Sequence, residues 1–545
     1  MRDASKASAA FWQALDGKPS LNTSAKEEEG SYDRLSSHYD ESLVLDTAPN
    51  DIFRLVQELR RCLAELGVSA EDVKDRNRDV ESWACLIYGS MSAPSRTFHD
   101  VGHVFDISRG ADCIQTISAL FHDVIYYTID GGLSTAQAKV LDGVIVEKHD
   151  DSAVSLSETI CSEDKHVAMV VTVFGFNPGQ VLSPFKGLNE FLSAVLAVRC
   201  LKETLHDSYL LRIAACIEAT VPFRKADENG RTPLDGLHER VCKANADMES
   251  GLTEFQIVLA IQRAADLANR DVTNFATKDH AQFLSNTWKL LPESNISLRS
   301  DGTGHISSFV IALKKMLGFL ENLDPSDIYG SYQNEPSDDV MRNLTERARR
   351  NISIATRYLR LKVLGLSLIA ALAELTGGDA PLIMFVRGMT VDEPKDKHSH
   401  QNMKKAMKAG NGSAEQKQGN SRTSYIANFG TVQRTSSRRD CDEEVYSLLK
   451  CGRKVESKFD LINSPVAAYL YGILGDTMCD RSFDFCACPM DSTNAKKLLD
   501  SLPPDDVAFI ARSCSRIVLT RAEQLIGIAN VYSEHCPSFQ GNHQQ

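Results

Sequence analysis

The sequence predicts an all-α protein, and three observations carry that prediction. Apolar residues recur at three- and four-residue intervals along most of the chain; strict alternation of period two is nearly absent; and the periodic stretches are closed by Gly, Pro and Asn. At 545 residues the chain exceeds the roughly 100–200 typical of one domain, so several domains are expected, with core enough to need no covalent staples.

The elements follow in order. Residues 1–50 are polar and Ser-rich, with an acidic run at 27–29, and read as a flexible tail with one short helix near residues 11–15. From residue 51, Ile52, Leu55, Val56, Leu59, Cys62, Leu63 and Leu66 recur at helical spacing. Helices are predicted over 112–127, 189–205, 210–220 and 254–269, the third stopped by Pro222. The apolar, β-branched run at 167–176 is the one strand-like stretch, and its helical neighbours favour helix there too. Residues 51–290 are thus one helical domain, and 291–392 a helical extension with helices at 306–323 and 340–375. Residues 393–440 are polar, basic and rich in Gly, Ser, Gln and Asn, which predicts a disordered insertion. Helices resume at 443–475 and 495–532 in a C-terminal region of 441–535, and 536–545 are a tail. No repeat of fixed period occurs.

Composition narrows the function classes. Hydrophobic residues at 43% and charged residues at 24% are ordinary for a soluble globular protein, and 7% aromatics do not advertise a stacking platform for single strands. A net charge of −13 argues against binding nucleic acid or anionic membrane through the whole surface, so nucleic acid is not an expected partner. An acidic chain that handles a phosphate ester needs a metal or focused cations at its site. The 14 cysteines are scattered, several within apolar helical patterns (Cys113, Cys200, Cys216), as expected of small buried hydrophobes in a reducing compartment. The N-terminus has no continuous apolar segment of the secretory kind, and the longest apolar run, 363–373, is too short to span a bilayer. A cytoplasmic location is expected.

Chemistry concentrates between residues 88 and 274. His99 and His103 stand four apart, which on a helix puts both imidazoles on one face. His122 and Asp123 follow an apolar helical run, and Asp266 lies within another, beside Leu267 and near Leu259 and Ile261. Burying an imidazole beside a carboxylate costs free energy unless both are paired or bind a cation. Three polar islands in one helical domain therefore suggest a common polar centre. Imidazole with carboxylate suits zinc or iron, and carboxylate with water suits magnesium or manganese. For any one of these histidines a structural role is the more common explanation, but five such groups in this order favour a site.

The order His-x-x-x-His, His-Asp, distant Asp resembles that of the HD-domain metal-dependent phosphohydrolases, and looks closest to the class I cyclic nucleotide phosphodiesterases. The family's Tyr-His-Asn-x-x-His-Ala-x-Asp-Val block is met by Phe98-His99-Asp100-Val101-Gly102-His103-Val104-Phe105-Asp106-Ile107. Ile217-Glu218-Ala219-Thr220 resembles its Ile-x-Ala-Thr helix, and Asp266-Leu267-Ala268-Asn269 its Asp-Leu-Ser-Asn block. The likeness covers residues 88–274, about a third of the chain. It implies an HD-like helical bundle and hydrolysis of a phosphoester, with a 3′,5′-cyclic nucleotide as first substrate and a nucleoside monophosphate as second. It implies His99 as general acid and His103, His122, Asp123 and Asp266 as ligands of two divalent metals, zinc, iron or manganese paired with magnesium or manganese, bridged by Asp123. In that chemistry metal-activated water attacks phosphorus and an imidazolium protonates the leaving oxygen. Arg224 and Arg270, each within six residues of a matched block, are candidate phosphate-binding groups.

The chain departs from the family in four respects, one of them a His103-to-His122 interval shorter than the family's. Tyr126 stands where the family continues His-Asp-x-x-His. The Glu-Asn-x-His block that orients the general acid, and the glutamine that clamps the purine, have no counterpart at family spacing; residues 147–149 and 163–166 are the nearest approximations to the former. Cys479, Cys486 and Cys488 lack the paired spacing of a zinc site. The basic insertion, with Ser421, Ser424, Ser436 and Ser437, is expected to be a solvated linker. The competing class of function is a regulatory or scaffold protein acting through that linker and the C-terminal helices.

Overall fold

The computed structural model describes residues 48–147, 154–299, 304–386, 440–455, 457 and 460–534, and these are mostly helical. They fall into two units, Met1–Arg299 with Gly318–Ser353, and Ser300–Leu317 with Ile354–Gln545. Residues 1–47 of the expected tail, residues 393–439 of the basic insertion, with Ser421, Ser424, Ser436 and Ser437, and the end of the chain from 535 lie outside the described residues, while 48–50, expected as tail, open a helix.

The first unit opens with α1 (Ala48–Glu65), α2 (Ala70–Asp75) and α3 (Asn77–Met91). The predicted stripe of α1 is realised, with Leu55, Leu59, Cys62 and Leu63 fully buried. Then come α4 (Val101–Ser108), α5 (Cys113–Phe121), α6 (Tyr127–Asp130) and α7 (Thr135–Val140). Strands β1 (Ile145–Glu147), β2 (Val154–Leu156) and β3 (Val181–Leu182) form a small antiparallel sheet in the order β1-β2-β3, with Ile145 opposite Leu156 and Val154 opposite Leu182. Strands of two or three residues are too short to print an alternation, which is why the sequence did not announce them. Between them lie α8 (Ile160–Glu163) and α9 (Lys165–Phe174). The strand-like run at 167–176 is therefore helical. Asp164 caps α9 by accepting from the amides of His166 and Val167 at 3.0 and 3.2 Å, and Gly175 ends it with φ +68°, a conformation that glycine adopts without strain.

The unit continues with α10 (Leu188–Leu201), α11 (Asp207–Ala219), α12 (Pro233–Met248), α13 (Glu254–Asp271) and α14 (His280–Ser294). α11 is the centre of the unit and packs against α5, α9, α10, α12 and α13. Its residues Leu210, Leu211, Ile213, Ala214, Ala215, Cys216 and Ile217 are all fully buried, as a helix packed on several sides requires. Each such large side chain contributes roughly 1.5–3 kcal/mol. The ends of α5 and α13 are thereby held by one common support.

α15 (Ile306–Asn322) and α16 (Asp338–Leu375) contribute to both units. The second unit adds α17 (Leu382–Val386), α18 (Glu443–Cys451), α19 (Pro465–Phe483), α20 (Ser492–Asp500), α21 (Pro504–Ser515) and α22 (Ala522–Glu534). The apolar run at 363–373 is core of α16, and among the described residues no helix is long and apolar enough to cross a membrane. The helical stretch predicted over 443–475 holds two helices, because Pro465 has no amide to donate and opens a new helix at its first position. In this unit Asp460 accepts from Lys362 at 2.8 Å and Arg453 at 3.3 Å, all three buried.

Candidate metal centre

The site is built from the ends of helices. Asp100 caps α4, its carboxylate accepting from the amide of His103 at 3.0 Å. The helix therefore starts at Val101, which puts His103 in its first turn and His99 in the loop before it. The expectation that both imidazoles ride one helix is corrected by this cap, yet the rings still meet edge to face at 5.5 Å.

The helix predicted over 112–127 ends earlier than expected. A capping box of Asp112 with Gln115 starts α5, and His122 closes it. The carbonyls of Asp123 and Val124 are taken by other groups: Arg96 donates to both, and Gln137 Nε2 donates to Val124 at 2.8 Å. Arg96 is buried and is held in turn by Asp130 at 2.6 Å. The His-Asp pair thus sits in a braced turn at a helix end.

His122 Nδ1 lies 2.9 Å from the carbonyl of Ala119 and, since a carbonyl only accepts, Nδ1 carries the proton. Nε2 then faces Asp123 Oδ2 at 3.0 Å and Asp271 Oδ1 at 3.4 Å, buried and with no aligned hydrogen bond. A lone pair aimed at two carboxylates is repulsive unless a cation lies between them or the ring takes a second proton. Burial opposes that second proton, but Asp123 and Asp271 outweigh it and raise the His122 pKa well above its ordinary value. Burial likewise pushes both carboxylates up, and the imidazoles more than offset it, His122 and His99 for Asp123, His122 and His103 for Asp271; both lie below the usual carboxylate range.

His103 Nε2 completes the group, 3.0 Å from Asp271 Oδ1 and 3.9 Å from Asp123 Oδ2. The four ligand atoms of His103, His122, Asp123 and Asp271 all lie within 4.8 Å of one another. Ligands about 2.0–2.2 Å from a zinc-type ion at tetrahedral angles stand about 3.3–3.6 Å apart, and the spans of 3.0, 3.4 and 3.9 Å bracket that value. Two carboxylates with two neutral imidazoles carry the charge that one divalent cation neutralises.

Asp271 is the correction to Asp266. Asp266 accepts from Gln115 Nε2 and from Arg270 Nε, both at 2.8 Å, and is not part of the cluster. Five residues turn a helix by about 140°, so one face of α13 cannot present both carboxylates to the same point. Arg270 is spent on Asp266 and on the carbonyl of Arg109 at 2.8 Å. Arg224 pairs with buried Glu218 at 2.6 Å and borders a cavity of about 310 Å³ whose lining contains none of the four ligands. Neither arginine joins the cluster.

Glu293, near the end of α14, was missed. Its side chain is 2% exposed. Oε1 accepts from the backbone amides of Thr97, Phe98 and His99 at 2.7, 2.6 and 3.0 Å, and Oε2 lies 2.7 Å from His99 Nδ1. One carboxylate thus fixes both the loop and the ring. Burial pulls the His99 imidazole down, but Glu293, with help from Asp123 and Asp271, more than offsets this and raises it to about 9. The Tyr126 ring lies 5.1 Å from that of His99. The approximations at 147–149 and 163–166 have other roles: Glu147 bonds the Tyr127 hydroxyl, Asp164 caps α9, and His166 pairs with Asp207 at 2.9 Å, while Lys148 and His149 lie outside the described residues.

Among the described residues one other group has metal-ligating character, His238, Cys242 and Glu254; Cys479, Cys486 and Cys488 belong to neither. No protein-family model, no curated protein and no solved structure matches this chain.

Proposed function

We propose that the protein is a metal-dependent phosphohydrolase that cleaves a phosphoester of a nucleotide, a 3′,5′-cyclic nucleotide in the first place and a nucleoside monophosphate in the second. The observation that carries this reading is an imidazole, His99, paired through Nδ1 with buried Glu293 and in ring contact with His103, one of a cage of two imidazoles and two carboxylates. His103, His122, Asp123 and Asp271 would hold one divalent cation or share two, zinc, iron or manganese alone or paired with magnesium or manganese. Bound there, such a cation supplies Lewis-acid polarisation of a phosphoryl oxygen and lowers the pKa of water.

The chain's own groups do the rest. Glu293 takes the Nδ1 side of His99, which leaves Nε2 to hold a proton for the leaving oxygen. With its pKa raised to about 9, His99 keeps that proton at neutral pH. The amides of residues 97–99, pinned to Glu293 Oε1, prevent the loop from carrying the ring away. Arg96 holds the Asp123 and Val124 carbonyls, so the Asp123 carboxylate keeps its aim.

The test is phosphate or nucleotide release from a panel of 3′,5′-cyclic nucleotides and nucleoside monophosphates by protein reconstituted with Mn²⁺ or Zn²⁺. Wild type should turn over, Asp271→Ala should not, and His99→Ala should lose about 10²–10⁴-fold. No hydrolysis by the metal-loaded wild type, or full activity of Asp271→Ala, would overturn the reading.

A further inference from the structure

α12 and α13 bring together a second set of ligating side chains, remote from the first. His238 and Cys242 stand four residues apart on α12, one above the other on one face. Glu249 then ends the helix with φ +51°. Asn245 clamps the returning chain, donating to the carbonyl of Leu252 and accepting from its amide, each at 3.0 Å. A capping box of Thr253 with Gln256 starts α13 at once, so Glu254 lands beside the middle of α12.

The result is a triangle of three donor types. His238 Nε2 lies 3.0 Å from Glu254 Oε1 and 3.7 Å from Cys242 Sγ, and Cys242 Sγ lies 4.0 Å from Glu254 Oε2. One ring nitrogen serves both contacts. The ring of Tyr332 stacks on the imidazole at 5.6 Å and 26°, which fixes its plane. Ligands about 2.0–2.3 Å from a zinc ion at tetrahedral angles stand about 3.3–3.6 Å apart, and the three observed spans bracket that value. Thiolate, imidazole and one carboxylate suit zinc and its relatives, whereas calcium and magnesium prefer oxygen alone. The Glu254 side chain is 70% exposed, so water has access to the fourth position.

We propose that His238, Cys242 and Glu254 form a separate binding site for a zinc-class divalent cation, which ties the middle of α12 to the first turn of α13. On binding, the Cys242 S–H bond breaks, its proton passes to solvent, and a sulfur–metal bond forms; no oxidation occurs. Glu254 and Asp271 are the first and last residues of α13, about 25 Å apart along its axis, so the two centres are distinct.

Cobalt(II) tests this in the full chain, because thiolate-to-cobalt charge transfer absorbs in the near ultraviolet and the His103 cluster contains no sulfur. Chelator-treated wild type and Asp123→Ala should both gain the band with one equivalent of thiolate-bound cobalt, and Zn²⁺ should abolish it by competition. Cys242→Ser should lose the band. Glu254→Gln, an exposed change that leaves the helix content intact by circular dichroism, should weaken cobalt binding at least about tenfold. A wild type without the band would overturn the proposal and leave an ordinary surface His–Glu pair beside a thiol. A band that persists in Cys242→Ser, or an unchanged affinity in Glu254→Gln, would overturn it equally.

Discussion

Asp266 and Asp271 separate what a carboxylate does by which way it faces. Asp266 satisfies the buried amide of Gln115 and the guanidinium of Arg270, whereas Asp271 reaches the two imidazoles. Asp271→Ala should therefore abolish stoichiometric metal at the His103 cluster, read by elemental analysis of Cys242→Ser protein so that no second centre contributes. Asp266→Ala should keep that metal and lower stability by about 1–3 kcal/mol, the cost of the buried Gln115 amide losing one of its two acceptors, measured by urea unfolding. In the proposed hydrolysis Glu293 would be a positioning residue. Glu293→Gln retains an oxygen for the three amides but removes the charge that holds the His99 proton. Its basic pH–rate limb should move down from near pH 9 toward the ordinary imidazole range, while KM changes little. An unshifted limb would show that Glu293 only props the loop. In the sequence Asp266 stood out because apolar residues surround it, while Asp271 sits in a run that reads as surface. Glu293 gave no signal, since it lies off the apolar stripe of Phe283, Leu284, Trp288 and Leu291.

Helix ends, more than helix middles, decide how the elements serve the site. The caps at Asp100, Asp112 and Thr253 set where α4, α5 and α13 begin, and all three follow the expected chemistry of Asp and Thr before an apolar run. Where α5 stops was not legible, because the carbonyls just beyond it, of Asp123 and Val124, are claimed by Arg96 and Gln137, residues distant in sequence. A close helix–helix approach in the second unit is equally non-local. A Cβ on Gly365 of α16 would stand 3.0 Å from the Ala467 amide nitrogen of α19. Gly365→Val should force these backbones apart and cost about 1–3 kcal/mol or more, seen as a lower Tm with unchanged metal content.

At the scale of the molecule, the first cluster should make stability depend on both metal and pH. In metal-free protein the His99 pKa is raised to about 9 from an unfolded value near 6.5. Its contribution is complete below about pH 6.5 and is lost as pH rises toward 9. Asp123 and Asp271 are depressed, so their contribution is present above about pH 4 and is lost as the solution is acidified. Unfolding midpoints of chelated protein should therefore fall on both sides of neutrality, and Glu293→Gln should flatten the alkaline side. A metal that binds only the folded chain should raise stability by about 4 kcal/mol at a thousandfold excess over its Kd. A chelated protein as stable as the loaded one would count against a bound cation.

The sequence by itself determined that the chain is helical, because a 3.6-residue apolar period is a local property that each segment prints for itself. It also determined that His99, His103, His122 and Asp123 are the residues to watch, because polar groups inside apolar runs stand out. Only the tertiary structure decided which distant carboxylates complete the group. Asp271 and Glu293 arrive on α13 and α14 from far along the chain, and their aim is set by helix rotation and, for α13, by packing on α11, neither of which leaves a mark in the order of residues.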